Sequence, residues 1–191
     1  MKYLPIDSQL FIENRKRFTK QLKPKSLAVF NSNDIMPTNA DGTLPFRQNN
    51  DIFYLSGVDQ EESILVIFPD AQNNDFKEVL FLKETSAEIA IWEGAKLTKE
   101  QAFEVSGIKT VFWLSQFEMV FNKMMAEADS VYLNANEHLR VAIEVETRDA
   151  RFTKLMKERY PLHNYKRSAP ILHRLRAIKR DEEVAQIQTA C

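Results

Sequence analysis

The side chains best equipped for chemistry are three histidines (His138, His163 and His173), one thiol (Cys191) and the acidic runs Glu61-Glu62 and Asp181-Glu182-Glu183. No two histidines have the i, i+4 spacing that sets two imidazoles on one helix face, and no H-E-x-x-H run occurs, so the spacing builds no zinc site. Neighbouring carboxylates can hold a hard cation weakly, but on a solvated face or in the first turn of a helix they are ordinary. Cys191 has no oriented base beside it and reads poorly as a nucleophile. The four glycines, Gly42, Gly57, Gly94 and Gly107, are too scattered for a phosphate-cradling loop, and no serine sits in a G-x-S-x-G elbow. His173 lies in a basic cluster with Arg174, Arg176, Lys179 and Arg180. The cluster could meet an acidic partner; lacking interleaved aromatics, it does not read as a single-strand binder, and an exposed helix face, or packing against a further domain, is the better reading. Trp92, in Ala90-Ile91-Trp92-Glu93-Gly94, reads as lying near a strand end, where it is a core anchor or part of an interface or substrate wall. These residues assign no catalytic group and no metal ligand.

The elements that must position them follow from hydrophobic spacing. Asp7 or Ser8 can cap a first helix carrying Leu10, Phe11, Phe18 and Leu22, stopped by Pro24. Residues 26–30 read as a buried strand, residues 34–45 as a loop, and Ile52-Phe53-Tyr54-Leu55, closed by Gly57, as another strand. The aliphatic run at 63–68 and the run at 78–82 most simply form a hairpin, the first covered on both faces. Helices are expected at 98–105, ended by Gly107, after a Ser115 cap, and at 148–159. Strands are expected at 110–114 and 130–133. Hairpin strands followed by strand–helix alternation predict an α/β fold, a mixed β-sheet flanked by helices. Ala169-Pro170 opens a late helix, and Asp181 reads as a fresh cap for one more, with Val184 and Ile187 starting an apolar stripe. So late a capped stripe suggests a longer protein, an ordinary frayed end being the other reading.

Composition narrows the classes. With 44% hydrophobic and 28% charged residues, the chain can bury a core without a metal or disulfide staple. Its formal charge of −1 argues against nucleic acid as the partner. The single cysteine forbids an internal disulfide and suits a reducing compartment, and Asp7, Glu13, Asn14 and Arg15 interrupt any signal-peptide core, so a cytoplasmic, non-membrane protein is expected.

Three ordered stretches carry a resemblance. Pro45-Phe46-Arg47-Gln48-Asn49-Asn50-Asp51-Ile52-Phe53-Tyr54-Leu55-Ser56-Gly57, continued by 61–68, resembles the N-terminal domain of the aminopeptidase P (Xaa-Pro aminopeptidase) family within the creatinase-like group. Ala87 to Gly94 is similar to that family's Ile-Trp-x-Gly stretch. The run Pro170-Ile171-Leu172-His173-Arg174-Leu175-Arg176-Ala177-Ile178-Lys179-Arg180-Asp181-Glu182-Glu183 is similar to its domain junction. The resemblance implies a non-catalytic N-terminal domain over residues 1–174, with 175–191 leading into a "pita-bread" metallopeptidase domain. It implies removal of the N-terminal residue from peptides with proline second, by a water activated between two divalent metals, usually manganese, held outside this chain. It further implies a homo-oligomer in which Asp41 and Trp92 approach a neighbouring subunit's active site. Arg47, Gln48, Asn50, Asp51, Tyr54 and Gly57 are motif residues, read as a structural polar network before a strand. A creatinase-like non-peptidase, or a stand-alone interaction module, is the alternative.

Overall fold

The computed structural model describes residues 5–142 and 144–191, with side chains at all of these but 87, 92 and 93. In chain order the elements are α1 (Ser8–Thr19), β1 (Ser26–Asn31), α2 (Asn50–Ser56), β2 (Ile64–Ile67), β3 (Glu78–Leu82), α3 (Ala87–Glu93), α4 (Lys99–Ser106), β4 (Thr110–Trp113), α5 (Phe117–Glu127), β5 (Ser130–Leu133), α6 (Arg148–Arg159), β6 (Asn164–Arg167), α7 (Ala169–Ala177) and α8 (Asp181–Ala190). The strands form one six-stranded sheet in the order β4-β3-β2-β1-β5-β6. β1, β2 and β3 pair antiparallel, with Val29 opposite Val66 and Leu65 opposite Leu80. β3–β4, β1–β5 and β5–β6 pair parallel. The sheet is mixed and flanked by helices, as the sequence pattern predicts.

Alternate residues of the strands feed two cores. Ala28, Phe30, Leu65, Ile67 and Leu80 face α1, α2, α4 and α7 through Phe18, Ile52, Leu55, Ala102 and Leu172. Leu27, Val29, Val66, Phe81 and Val131 face α5 and α6 through Phe121, Met124 and Met156. Both faces of β1 and β2 are thus covered, which is why those strands read as unbroken aliphatic runs.

Several local expectations are corrected. Ile52-Phe53-Tyr54-Leu55 is helical: the Asn49 side chain caps the N–H of Asp51 at 2.9 Å, and Gly57 closes the helix in the left-handed region at φ 70°. The stretch around Trp92 is helix α3, capped by Ser86 bonding to the N–H of Ile89. α5 follows a short turn in which Gln116, not Ser115, accepts the N–H of Trp113. α8 is capped at Arg180, whose N–H donates to the Glu183 carboxylate at 3.0 Å, and not at Asp181. β6 gives no strand signal in the sequence, because Asn164-Tyr165-Lys166-Arg167 carries the polar, charged residues that protect a sheet edge and shows no apolar alternation.

Arg15 of α1 ties the first core together. It is 1% exposed and donates Nη1 to the carbonyls of Leu55 and Ser106 at 2.8 and 2.9 Å, and Nε to Glu78 at 2.9 Å. Those carbonyls belong to the last turns of α2 and α4, where the helix has no partners of its own and its dipole is negative. Both helices end in Ser-Gly, and each glycine leaves room for α1: a Cβ on Gly57 would lie 2.2 Å from the Phe11 ring, and one on Gly107 2.5 Å from Ile12. Replacing Arg15 with leucine strands two buried carbonyls. Urea unfolding should show a loss of about 3 kcal/mol, and a loss below about 1 kcal/mol would show that the two helix ends find other partners.

Candidate functional site

β1 and β5 lie side by side and parallel, but the chain leaves them for opposite faces, β1 toward α2 and β5 toward α6. Such a divergence opens a crevice at the carboxyl ends of the strands, the usual ligand position in open α/β sheets. Here the crevice has a volume of about 810 Å³ and is lined by Asn49, Asp51, His138, Asp149, His173 and Arg176 among others.

Its floor is an amide–carboxylate network. Asn31 ends β1, and Asn134 follows β5; they are 2% and 4% exposed. Asn31 Nδ2 donates to Asp149 Oδ1 at 2.9 Å, and Asn134 and Asn49 donate to Asp149 Oδ2 at 3.3 Å each. The same Asn134 amide lies 3.1 Å from Asp51 Oδ2, so one side chain bridges two carboxylates. Asp51 in turn takes Nη1 of Arg176 at 2.6 Å, and the Arg176 guanidinium lies 5.7 Å from the Tyr54 ring centre. Two helix N-termini, of α2 and α6, thereby meet across the crevice through Asp51 and Asp149, the acidic residues of their first turns.

Burial pushes the Asp149 carboxyl up to about 6, helped by the charge of Asp51 and opposed by the hydrogen bonds from Asn31 and Asn134. The amide oxygens of Asn31 and Asn134 have no partner among the described residues. The floor can therefore hold a proton near neutrality and accept donors, while Asp51 ties the crevice to α7.

The sequence-selected residues are placed as follows. Gln48 clamps the loop after α2, donating Nε2 to the carbonyls of Val58 and Gln60 at 3.0 and 2.9 Å while its Oε1 accepts the N–H of Asn49. Asn50 and Asp51 line the crevice. Tyr54 is buried beneath Arg176. Arg47 is exposed and contributes its carbonyl, which Asn33 meets at 3.0 Å. Asp41 is exposed in a turn held by Thr38 N–H to Gly42 O at 2.9 Å and a Pro37–Thr43 bridge. The side chain of Trp92, read as a core anchor or part of an interface or substrate wall, lies outside the described residues. His138 and His173, scattered in sequence, line one crevice; His163 lies elsewhere, donating Nε2 to the Met125 carbonyl. Glu61 and Glu62 pair with Lys96 and Lys83. The sequence alone does not single out Asn31, Asn134 and Asp149. The available signal for the two amides is that one asparagine ends β1 and another directly follows β5.

Residues 11–132, more than half of the chain, match the family described as "Aminopeptidase P, N-terminal domain". The chain belongs to the aminopeptidase P N-terminal domain family. It is 24% identical to the Xaa-Pro aminopeptidase of Escherichia coli over 97% of its own length and 42% of that protein's. It is 30% identical to human Xaa-Pro aminopeptidase 3 over 53% of this chain and 19% of that protein. Among solved structures, one from Bacillus anthracis described as an aminopeptidase P superposes with a TM-score of 0.82 at 25% identity, covering 94% of this chain and 42% of that one. E. coli aminopeptidase P with the inhibitor Pro-Leu gives 0.75 at 26%, covering 95% and 41%. The chain thus spans about two fifths of these relatives' length, the human protein apart. In this aminopeptidase P domain, no group of three or more His, Cys, Asp or Glu among the described residues could hold a metal ion, and none of the helices described is long and apolar enough to cross a membrane.

The raised Asp149 pKa makes the stability of the domain depend on pH. An unfolded aspartate ionises near ~3.9, so between about pH 4 and about pH 6 the folded chain binds the extra proton. Through this group, stability falls as pH rises across that window, by on the order of 3 kcal/mol in all. Asp149→Asn removes this dependence. Urea unfolding of both proteins from about pH 4 to about pH 7 should show the wild type losing stability relative to the variant as pH rises; parallel curves would refute the buried-carboxyl assignment.

Proposed function

We propose that this chain is the non-catalytic N-terminal domain, residues 1–174 with 175–191 leading onward, of a cytoplasmic Xaa-Pro aminopeptidase that in full length releases the N-terminal residue from peptides with proline second. The observation that carries the reading is the family match over residues 11–132, extended by the E. coli relative across 97% of the chain. In this reading two divalent metals, taken to be manganese, sit in a separate catalytic domain and supply the activated water. The residues present here do not fit that role: Asp51 and Asp149 are committed to Arg176 and to asparagine amides.

This domain's own work is assembly and substrate access. The Asp51–Arg176 pair and the Arg176–Tyr54 contact hold α7, the helix that leads toward the onward segment, against the domain. Asp41 stands on an exposed turn whose stem leaves Ile35, Met36 and Leu44 40%, 43% and 53% exposed, an apolar skirt suited to contact with a neighbouring subunit of a homo-oligomer. Asp41 and Trp92 are the residues proposed to reach that neighbour's active site, where they would shape access for the peptide.

The test is peptidase assay of the full-length protein with manganese and an Xaa-Pro peptide. Release of the N-terminal residue, abolished by a chelator and absent from the 191-residue chain alone, is expected. Asp41→Ala and Trp92→Ala should each lower kcat/KM by at least about tenfold, equal to about 1.4 kcal/mol, with unchanged melting. Release by the 191-residue chain alone, or none by the full-length protein, would overturn the assignment.

A further inference from the structure

A second cavity, of about 600 Å³, lies at the opposite end of α2 from the crevice, between α1, the C-terminal ends of α2 and α4, and residues 95–97. Its walls are largely apolar, formed by Ile6, Phe11, Phe53, Leu97 and Val105. This is the make-up of a small-molecule pocket: concave, apolar, with few polar groups set to orient a ligand.

One wall residue supplies such a group. Gln60 is 5% exposed, and its Oε1 accepts the backbone N–H of Leu97 at 2.7 Å. Only an oxygen can meet that N–H, so the orientation of the amide is settled by its partner. Its Nε2 is consequently a donor, and it has no acceptor among the described residues. A buried donor left unmet is costly, which favours a ligand that brings an acceptor. The charges on the wall select against an anion. Glu61 and Lys96 on the wall pair with each other, and the other ionisable residues lining it, Asp59 and Glu104, are both acidic.

We propose that this pocket binds a small neutral carbonyl compound with an aliphatic or aromatic body, its oxygen accepting from Gln60 Nε2. The site lies at the opposite end of α2 from the crevice and shares none of its lining residues. The aliphatic body packs on Phe11, Phe53, Leu97 and Val105, and the carbonyl completes the Gln60 amide.

The test is an NMR titration of the protein with N-acetyl-L-leucinamide, read at the Gln60 side-chain amide and the Leu97 N–H. Saturable shifts at both are expected, without shifts at Asn49 or Asn134 in the crevice. Gln60→Glu keeps an oxygen for Leu97 and removes the donor, and should weaken binding by at least roughly tenfold. Val105→Phe fills the pocket from α4 without touching Gln60 and should weaken it comparably. N-acetyl-L-leucine, the carboxylate counterpart, should bind more weakly than the amide. No saturable shift at Gln60, undiminished affinity in Val105→Phe, or equal binding of the carboxylate would each overturn the proposal.

Discussion

The Arg15 guanidinium is the point on which the first half of the structure depends. One buried cation meets the unfilled carbonyl ends of two helices, and Glu78 of β3 balances its charge. The arrangement answers three problems together: orphan carbonyls, converging helix dipoles and a buried charge. Because α2 has only seven residues, holding its C-terminal end also sets where its N-terminal end points. Asn49 and Asp51 reach the crevice because Leu55 is held at the other end.

The crevice floor is a second commitment of the same kind. Four side chains from four separate stretches, Asn31, Asn49, Asn134 and Asp149, share hydrogen bonds in a place largely closed to water. Inside a protein such a network is strong when complete and expensive when a partner is lost. The burial that makes it strong also raises the Asp149 carboxyl, so the floor works against stability at neutral pH.

α2 connects the two concave regions. Its first residues line the polar crevice, while Phe53 and Gly57 line the apolar cavity. Gln48 and Gln60 continue this connection along the chain: Gln48 is bonded to the carbonyl of Gln60, whose side chain holds Leu97. The motif that carries the family resemblance is therefore the structural partition between two cavities of opposite character.

The sequence alone was sufficient for whatever burial along a single element dictates. The aliphatic strands β1, β2 and β3, the helices α1, α4 and α6 and the mixed sheet follow from apolar spacing, caps and glycine stops, because a side chain's periodic burial is written in its own neighbours. Periodicity was insufficient where an element is short or polar. Ile52 to Leu55 has too few residues to distinguish a buried strand from about one turn of helix, and Asn49 and Gly57 decided it. β6 carries its edge charges in place of an apolar alternation. The crevice needed the tertiary structure altogether. Asn31 and Asp149 are 118 residues apart, Asp51 and Arg176 125. They meet only because β5 lies next to β1 and the chain leaves the two strands for opposite faces. Polar contacts between distant residues leave no period in the sequence; their partners are chosen by sheet order, which is settled by how whole layers pack.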